Sequence, residues 1–399
     1  MTSASADEST HLDELTAILR RRRRILETQY TRFGHLTPDH IVLELEDVQR
    51  QLTQVQAELR RVRPQLADTQ CPYLGLLTFQ ELDSAFFFGR DDLVSTLLQK
   101  VEHNSFLAVL GPSGSGKSSV VRAGLIPALK GGALAGSKHW CYLIIKPDAR
   151  PLNTLAAAFA SISGQTLGDI ATIRETLSRT DDGLLLLADG LRTQQKSTRL
   201  VLVVDQAEEL WTLTPPNPQA RAAFVTEQQQ PFLRSLLTAA SAPDQSVLII
   251  FTLRADFLHR ALEHHDLTIW MGDEHTVLVS PLLPDQLKQA ITRPAELVGC
   301  SFEPGLDDAL VEQTLGQPGA LPLLEYTLLE LWKDRRPDGL LTWDTFQQLG
   351  GVKGGLARRA DDTLAQQSTN ASLHPTQTPP VCLLRPHMIA HCMPMKQRM

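Results

Sequence analysis

The strongest constraint on this chain is an apolar run, Phe106-Leu107-Ala108-Val109-Leu110, that passes directly into Gly111-Pro112-Ser113-Gly114-Ser115-Gly116-Lys117-Ser118-Ser119. The spacing is G-x-x-x-x-G-K-S, and the stretch from Ser118 to Leu129 reads as the following helix. Each part answers to a chemical need. The glycines let backbone N–H groups converge on phosphate oxygens without Cβ obstruction. The helix start adds the positive end of its dipole. Lys117 supplies a point charge for the β- and γ-phosphates, and the Ser118 hydroxyl can ligate Mg²⁺. Residues 111–119 are therefore assigned to a nucleoside phosphate.

Four more apolar runs predict strands: 140–146, 200–204, 247–253 and 275–279. With helices between them they predict an α/β fold with a parallel sheet, its site at the strand C-termini. The run Leu200-Val201-Leu202-Val203-Val204 ends in Asp205, the hydrophobic strand plus acid that holds Mg²⁺. One strand lies between the phosphate loop and this acid, an order that resembles the P-loop division including AAA+ and STAND ATPases; that resemblance implies a catalytic glutamate. Gln206 follows Asp205, so the acid is sought further on, with Glu208 first and Glu209 second as general base. The run at 247–253 ends at Arg254, which can report the γ-phosphate, or pair with Asp256. Ile145-Lys146-Pro147-Asp148 imitates a guanine-reading motif, but it begins with Ile and precedes Asp205. Guanine specificity is unsupported.

The flanks differ from this centre. Ile41, Leu45, Val48, Leu52, Val55, Leu59 and Val62 step 4-3-4-3-4-3, and Leu12, Leu15, Leu19, Arg22, Leu26 and Gln29 follow the same register more weakly. A two-helix hairpin over 1–69 is expected, too small to stand without a partner surface. The Arg20–Arg24 run spreads around a helix and reads as solvated charge. The expected domains continue as a nucleotide core at 70–290, a helical lid at 291–330 and a partial winged helix at 331–365. Residues 366–399 show no periodicity: no Asp or Glu follows Asp362, and four of the six methionines fall in the last twelve residues. That break reads as a disordered or frameshifted tail on a truncated chain. Its His374, His387, His391, Cys382 and Cys392 fit no standard metal spacing. The net charge of −7 weighs against a dedicated nucleic-acid binder. With no signal-peptide pattern and no apolar run near 20 residues, a cytoplasmic protein without membrane spans is expected.

Six segments occur in order: Pro72-Tyr73-Leu74-Gly75-Leu76, Phe87-Phe88-Gly89-Arg90-Asp91, the loop at 106–119, Val203-Val204-Asp205-Gln206-Ala207-Glu208-Glu209-Leu210, Leu253-Arg254-Ala255-Asp256-Phe257 and Gly319-Ala320-Leu321-Pro322-Leu323-Leu324. Together they resemble the novel STAND NTPase type 1 family over roughly residues 70–365. The resemblance implies that Phe88, Gly89 and Arg90 pack at the adenine and ribose, that Pro322 touches the adenine, and that Arg254 is a sensor. By residue pattern alone, Pro322 is equally a helix N1 proline. The resemblance further implies an ATP/ADP switch with slow hydrolysis. Its ADP form is a closed monomer; its ATP form assembles and presents an effector, here through the N-terminal helices. Two alternatives remain: a nucleic-acid-associated AAA+-like ATPase, and a nucleotide-binding remnant without signalling activity.

Overall fold

The computed structural model describes residues 71–164, 169–317 and 319–354, together with isolated positions between 15 and 55. Five parallel strands form the main sheet: β1 (Phe106–Gly111), β2 (Cys141–Ile145), β3 (Leu200–Val204), β4 (Val247–Arg254) and β5 (Thr276–Leu278). Their order is β2-β3-β4-β1-β5. β4 thus lies between the phosphate-loop strand and the strand that ends before Asp205, with Gly111 opposite Arg254 and Val204 opposite Phe251. All five fall where the apolar runs predict them.

These runs are continuous because both sheet faces are covered. Successive side chains alternate between two cores. Phe106, Ala108, Leu110, Leu202, Val204, Ile249 and Phe251 enter one. It is roofed by α3 (Pro151–Ser163), α4 (Asp169–Arg179), α5 (Gly183–Gln195) and α6 (218–240). Leu107, Val109, Val201, Val203, Leu248 and Ile250 enter the other, against α1 (Asp91–His103) and α2 (117–131).

The helix after the loop is not uniform. α2 runs as an α-turn at Lys117–Ser119, a π turn at Val120–Leu125 and an α-helix at Ile126–Gly131. Pro127 cannot donate a hydrogen bond one turn back and its ring crowds that carbonyl. The π turn relieves the conflict: the Ile126 N–H reaches back to Val121 O. α6 repeats the device, with a π turn at Val225–Gln229 just ahead of Pro231.

A third core lies beyond the sheet. Tyr73, Phe79 and Phe86 of the entry segment join side chains of α7 (Pro284–Leu297), α8 (Leu306–Thr314), α9 (Ala320–Lys333) and α10 (Trp343–Gln348). The Tyr73 hydroxyl donates to Ile291 O at 2.6 Å. The expected boundaries at 290 and 330 both fall inside helices, α7 and α9. The segment is not purely helical either, since β6 (Ser301–Phe302) pairs in parallel with β7 (Leu340–Leu341). The pairing joins the expected lid to the expected winged-helix portion, and one apolar core serves both.

Near the N-terminus, Leu19, Leu26, Ile41, Val48 and Val55 are buried in one cluster, with Leu15 against it. Arg22, which occupies a register position, is exposed and donates to Glu44 Oε1 at 3.0 Å. Leu12, Gln29, Leu45, Leu52, Leu59 and Val62 lie outside the described residues, as does the whole stretch 355–399 with its expected tail. No described helix is long and apolar enough to cross a membrane.

Candidate functional site

β1 delivers the chain to the loop, and two left-handed residues turn it: Gly114 (φ +72°) and Gly116 (φ +89°). A Cβ on Gly116 would meet nothing within 4 Å, so glycine is needed there for conformation rather than space. Gly111 is different, because a Cβ would lie 2.8 Å from Ser115 Oγ. Lys117 is buried, and its Nζ donates to the carbonyls of Gly111 and Pro112, each at 2.9 Å. Burial lowers its pKa, opposed by the nearby Glu208. Residues 113–119 line a cavity of about 260 Å³, while Gly111 and Pro112 lie off its wall and serve through their carbonyls.

Asp205 follows the end of β3 and does not itself line the cavity; it stands behind Ser118, which does. Asp205 is 3% exposed. Its Oδ1 accepts from Ser118 Oγ and Thr252 Oγ1, both at 2.7 Å. Its Oδ2 accepts from Arg122 Nε at 2.9 Å and pairs with Nη2 at 2.9 Å. The Ser118 hydroxyl and the Asp205 carboxylate are hard oxygen donors side by side, a set that fits Mg²⁺. Gln206 takes a left-handed turn (φ 57°), and its N–H donates to Thr252 Oγ1 at 2.8 Å.

That turn separates the two candidate bases. Glu208 is buried on the cavity wall, and burial raises its pKa. Its Oε2 accepts the Arg254 N–H at 3.3 Å. Glu209 does not line the cavity; it pairs with Lys146 at 3.4 Å and accepts from Thr212 Oγ1 at 3.0 Å. Arg254 lines the cavity, but its guanidinium is bonded to Asp256 at 3.1 and 2.7 Å and lies over the Phe257 ring. Asp256 raises its pKa. The Asp256 pairing named as the alternative for Arg254 is therefore the one observed.

The far end of the cavity is apolar, walled by Phe79, Phe86, Phe87, Phe88, Leu282 and Leu324. Arg90 is buried and bridges two carbonyls, Ser280 O at 2.7 Å and Ser115 O at 2.9 Å. Burial lowers its pKa to about 10, which leaves it protonated at neutral pH. Gly89 does not line the cavity. Its φ is +80°, and a Cβ would stand 2.3 Å from Gln286 O, so it serves close packing against α7. Pro322 lines the cavity, and its Cδ would stand 3.2 Å from a Cβ on Gly114. It is not an N1 proline: α9 begins at Ala320, which places Pro322 at the third position, where the missing N–H is still harmless.

Four residues of this region were not singled out from the sequence: Arg122, Thr252, Gln80 and Glu325. Thr252 was visible as the hydroxyl inside an apolar strand, and Arg122 as the residue four beyond Ser118 on the same helix face. Glu325 lines the cavity, and its carboxyl accepts from the Leu74 backbone N–H. Its Oε2 is sealed from solvent without a hydrogen-bond partner. Burial raises its pKa to about 8.

Among solved structures, the chain resembles a Walker-type ATPase of Pyrococcus abyssi, at 16% identity and TM-score 0.45, covering 73% of this chain and 79% of that one. It also resembles the Aeropyrum pernix ORC2 protein in ADPNP–ADP complexes, at 14% identity and TM-score 0.41, covering 68% and 65%. Drosophila ORC bound to DNA matches at 15% identity and TM-score 0.36, covering 67% and 58%. The chain thus spans less than two thirds of the length of the last two. A comparison with curated proteins finds no match. The family profile described as Novel STAND NTPase 1 matches residues 72–376, which extends past residue 365, where the composition break was expected to end the family's sequence. That match spans well over half of the chain, and with the phosphate loop on the cavity wall and its Ser118 bonded to the acid after β3, the chain belongs to the Novel STAND NTPase 1 family of P-loop NTPases.

Proposed function

We propose that the protein is an ATP/ADP-binding switch whose nucleotide controls assembly, with slow hydrolysis as the reset. One observation carries this reading: the cavity is walled both by the sheet's phosphate loop and by side chains of the entry segment, α7 and α9. A nucleotide held by residues 113–119 at one end and by the apolar wall at the other touches the sheet's loop and the third core at once. Its third phosphate then biases how the cores pack, which is a population shift between conformers. Mg²⁺, held by Ser118 and Asp205, would neutralise phosphate charge. Lys117 binds the phosphates, and Glu208 orients the attacking water and takes its proton. Glu209 is the weaker candidate because it is committed to Lys146. Arg254 reads the third phosphate only by leaving Asp256. Phe88 and Pro322 pack on the adenine, Arg90 holds the loop, and Gly89 lets the entry segment approach.

The same reading gives the flanks their roles. Residues 1–69 serve as a helical, coiled-coil-like adaptor that meets an effector protein, residues 291–330 as the lid, and residues 331–365 as a partial winged helix. The ATP form assembles into a homo-oligomer in the cytoplasm.

The test uses the full chain. We expect ADP to co-purify with it, and its mass in solution to rise when ATP replaces ADP. Lys117→Ala should weaken nucleotide binding by about 100-fold or more and abolish assembly. Normal binding in that variant would sink the site, and an unchanged mass with ATP would sink the switch.

A further inference from the structure

Arg122 lies in the π turn of α2, four residues beyond Ser118. Residues four apart share a helix face, so Ser118 and Arg122 both reach Asp205, from two sides. They divide the carboxylate between them. Ser118 takes Oδ1, together with Thr252, and Arg122 takes Oδ2 through Nε and Nη2. Among the described residues, Arg122 is the ion-pair partner of Asp205. Its third nitrogen points elsewhere: Nη1 donates to Gln80 Oε1 at 2.9 Å.

Gln80 is a structural corner. It caps the 3-10 turn Glu81–Phe86, where its N–H donates to Asp83 Oδ2 at 2.8 Å. That turn leads into Phe86, Phe87 and Phe88 on the apolar wall of the cavity. A second tie from the same helix reaches the same turn, Lys130 Nζ to Glu81 at 2.8 and 2.7 Å. The guanidinium is planar, so the bonds to Asp205 and the bond to Gln80 move as one rigid fork.

We propose that Arg122 is a two-armed positioning residue. One arm sets Asp205 so that Oδ1 faces Ser118, where the cation belongs. The other ties that carboxylate to Gln80, and through it to the wall that receives the base. The proposal rests on the nucleotide-switch reading above and adds a physical link between the two ends of the cavity. A cation that draws on Asp205 then tightens the base wall, and by reciprocity an occupied base wall favours the cation.

The experiment titrates Mg²⁺ into full-length protein with N-methylanthraniloyl-ADP and reads nucleotide affinity at each concentration. Arg122→Met should raise the Mg²⁺ concentration for half-maximal tightening by about 10-fold or more, the size expected for loss of an outer partner of a metal-ligating carboxylate. Arg122→Lys should recover much of that shift, because charge beside Oδ2 is restored. Gln80→Leu should raise the Mg²⁺ midpoint too, but by less than Arg122→Met does, since it spares the first arm and loses only the coupling. In the unaltered ADP complex Mg²⁺ should slow hydrogen exchange at residues 78–88, and both Arg122→Lys and Gln80→Leu should abolish that slowing; no slowing in the unaltered complex overturns the second arm. A lowered or unmoved midpoint in Arg122→Met, with nucleotide still bound, overturns the proposal; a lowered one would mean that Arg122 competes with the cation. Should Arg122→Met unfold, a midpoint in Arg122→Lys matching the unaltered chain, together with intact exchange slowing, overturns it as well. Failure of the unaltered chain to bind the ADP probe overturns the switch reading itself, a result distinguishable from these.

Discussion

Glu208 and Glu209 are adjacent in sequence, yet their surroundings are opposite. The left-handed turn at Gln206, held by Thr252, directs the chain so that Glu208 faces the cavity and Glu209 faces Lys146. Burial raises the proton affinity of Glu208, which suits a base. Glu208→Gln is expected to keep nucleotide affinity and slow hydrolysis by about 10²–10⁴-fold. Glu209→Gln, by contrast, should change turnover by less than about 3-fold, since it alters only a part-exposed ion pair. Phosphate release in single turnover decides between them; equal losses in both variants would refute the assignment. A spacing argument ranks Glu208 ahead of Glu209 but does not supply the reason, which is the backbone turn at Gln206.

At the scale of elements, what was locally encoded came out where expected. The five strands are dense apolar runs, and burial on both faces needs nothing more specific than that. α2 departs from a simple helix because Pro127 imposes a π turn, a consequence of covalent structure that helical periodicity alone does not reveal. The join between the entry segment and α7 depends on Gly89, whose left-handed angle and 2.3 Å clearance from Gln286 O exclude a side chain. Gly89→Ala should cost about 2–4 kcal/mol by combining backbone strain with overpacking. Urea unfolding would register that loss, and a midpoint equal to that of the unaltered chain would show that α7 can shift freely.

Over the whole molecule, the third core makes the nucleotide cavity possible, and Glu325 stands half-buried at its edge, with its Oε2 sealed from solvent. Its carboxyl holds a pKa of about 8, against an ordinary 4.5. Between those values the folded protein keeps a proton that the unfolded chain has released. Stability therefore falls as pH rises from about 4.5, and the loss levels off above about 8, where the folded carboxyl ionises too. The neighbouring Cys71 thiol and Tyr73 hydroxyl are themselves pushed up, chiefly by burial, so they do not titrate in this window. Glu325→Gln, which imitates the protonated acid, should remove the decline and stabilise the protein at pH 8 by several kcal/mol at most. Urea midpoints at pH 5 and pH 8 test this; parallel pH dependence in the two proteins would refute it.

The sequence by itself determined the phosphate loop, the strands, the acid at the end of β3 and the order of the motifs. Each of these is written in neighbouring residues, where spacing and apolar runs suffice. Tertiary structure decided the rest: that Glu208 rather than Glu209 faces the cavity, that Arg254 is bound to Asp256, and that Arg122 grips Asp205. It also merged the expected lid and the segment after it into one core with Tyr73 and Phe79. Apart from the Arg254–Asp256 pair, which is two positions apart and stood in the sequence as one of two alternatives, these outcomes depend on contacts between residues tens to hundreds of positions apart. Local pattern has no hold on such contacts, because packing and charge pairing are settled only when the chain is assembled.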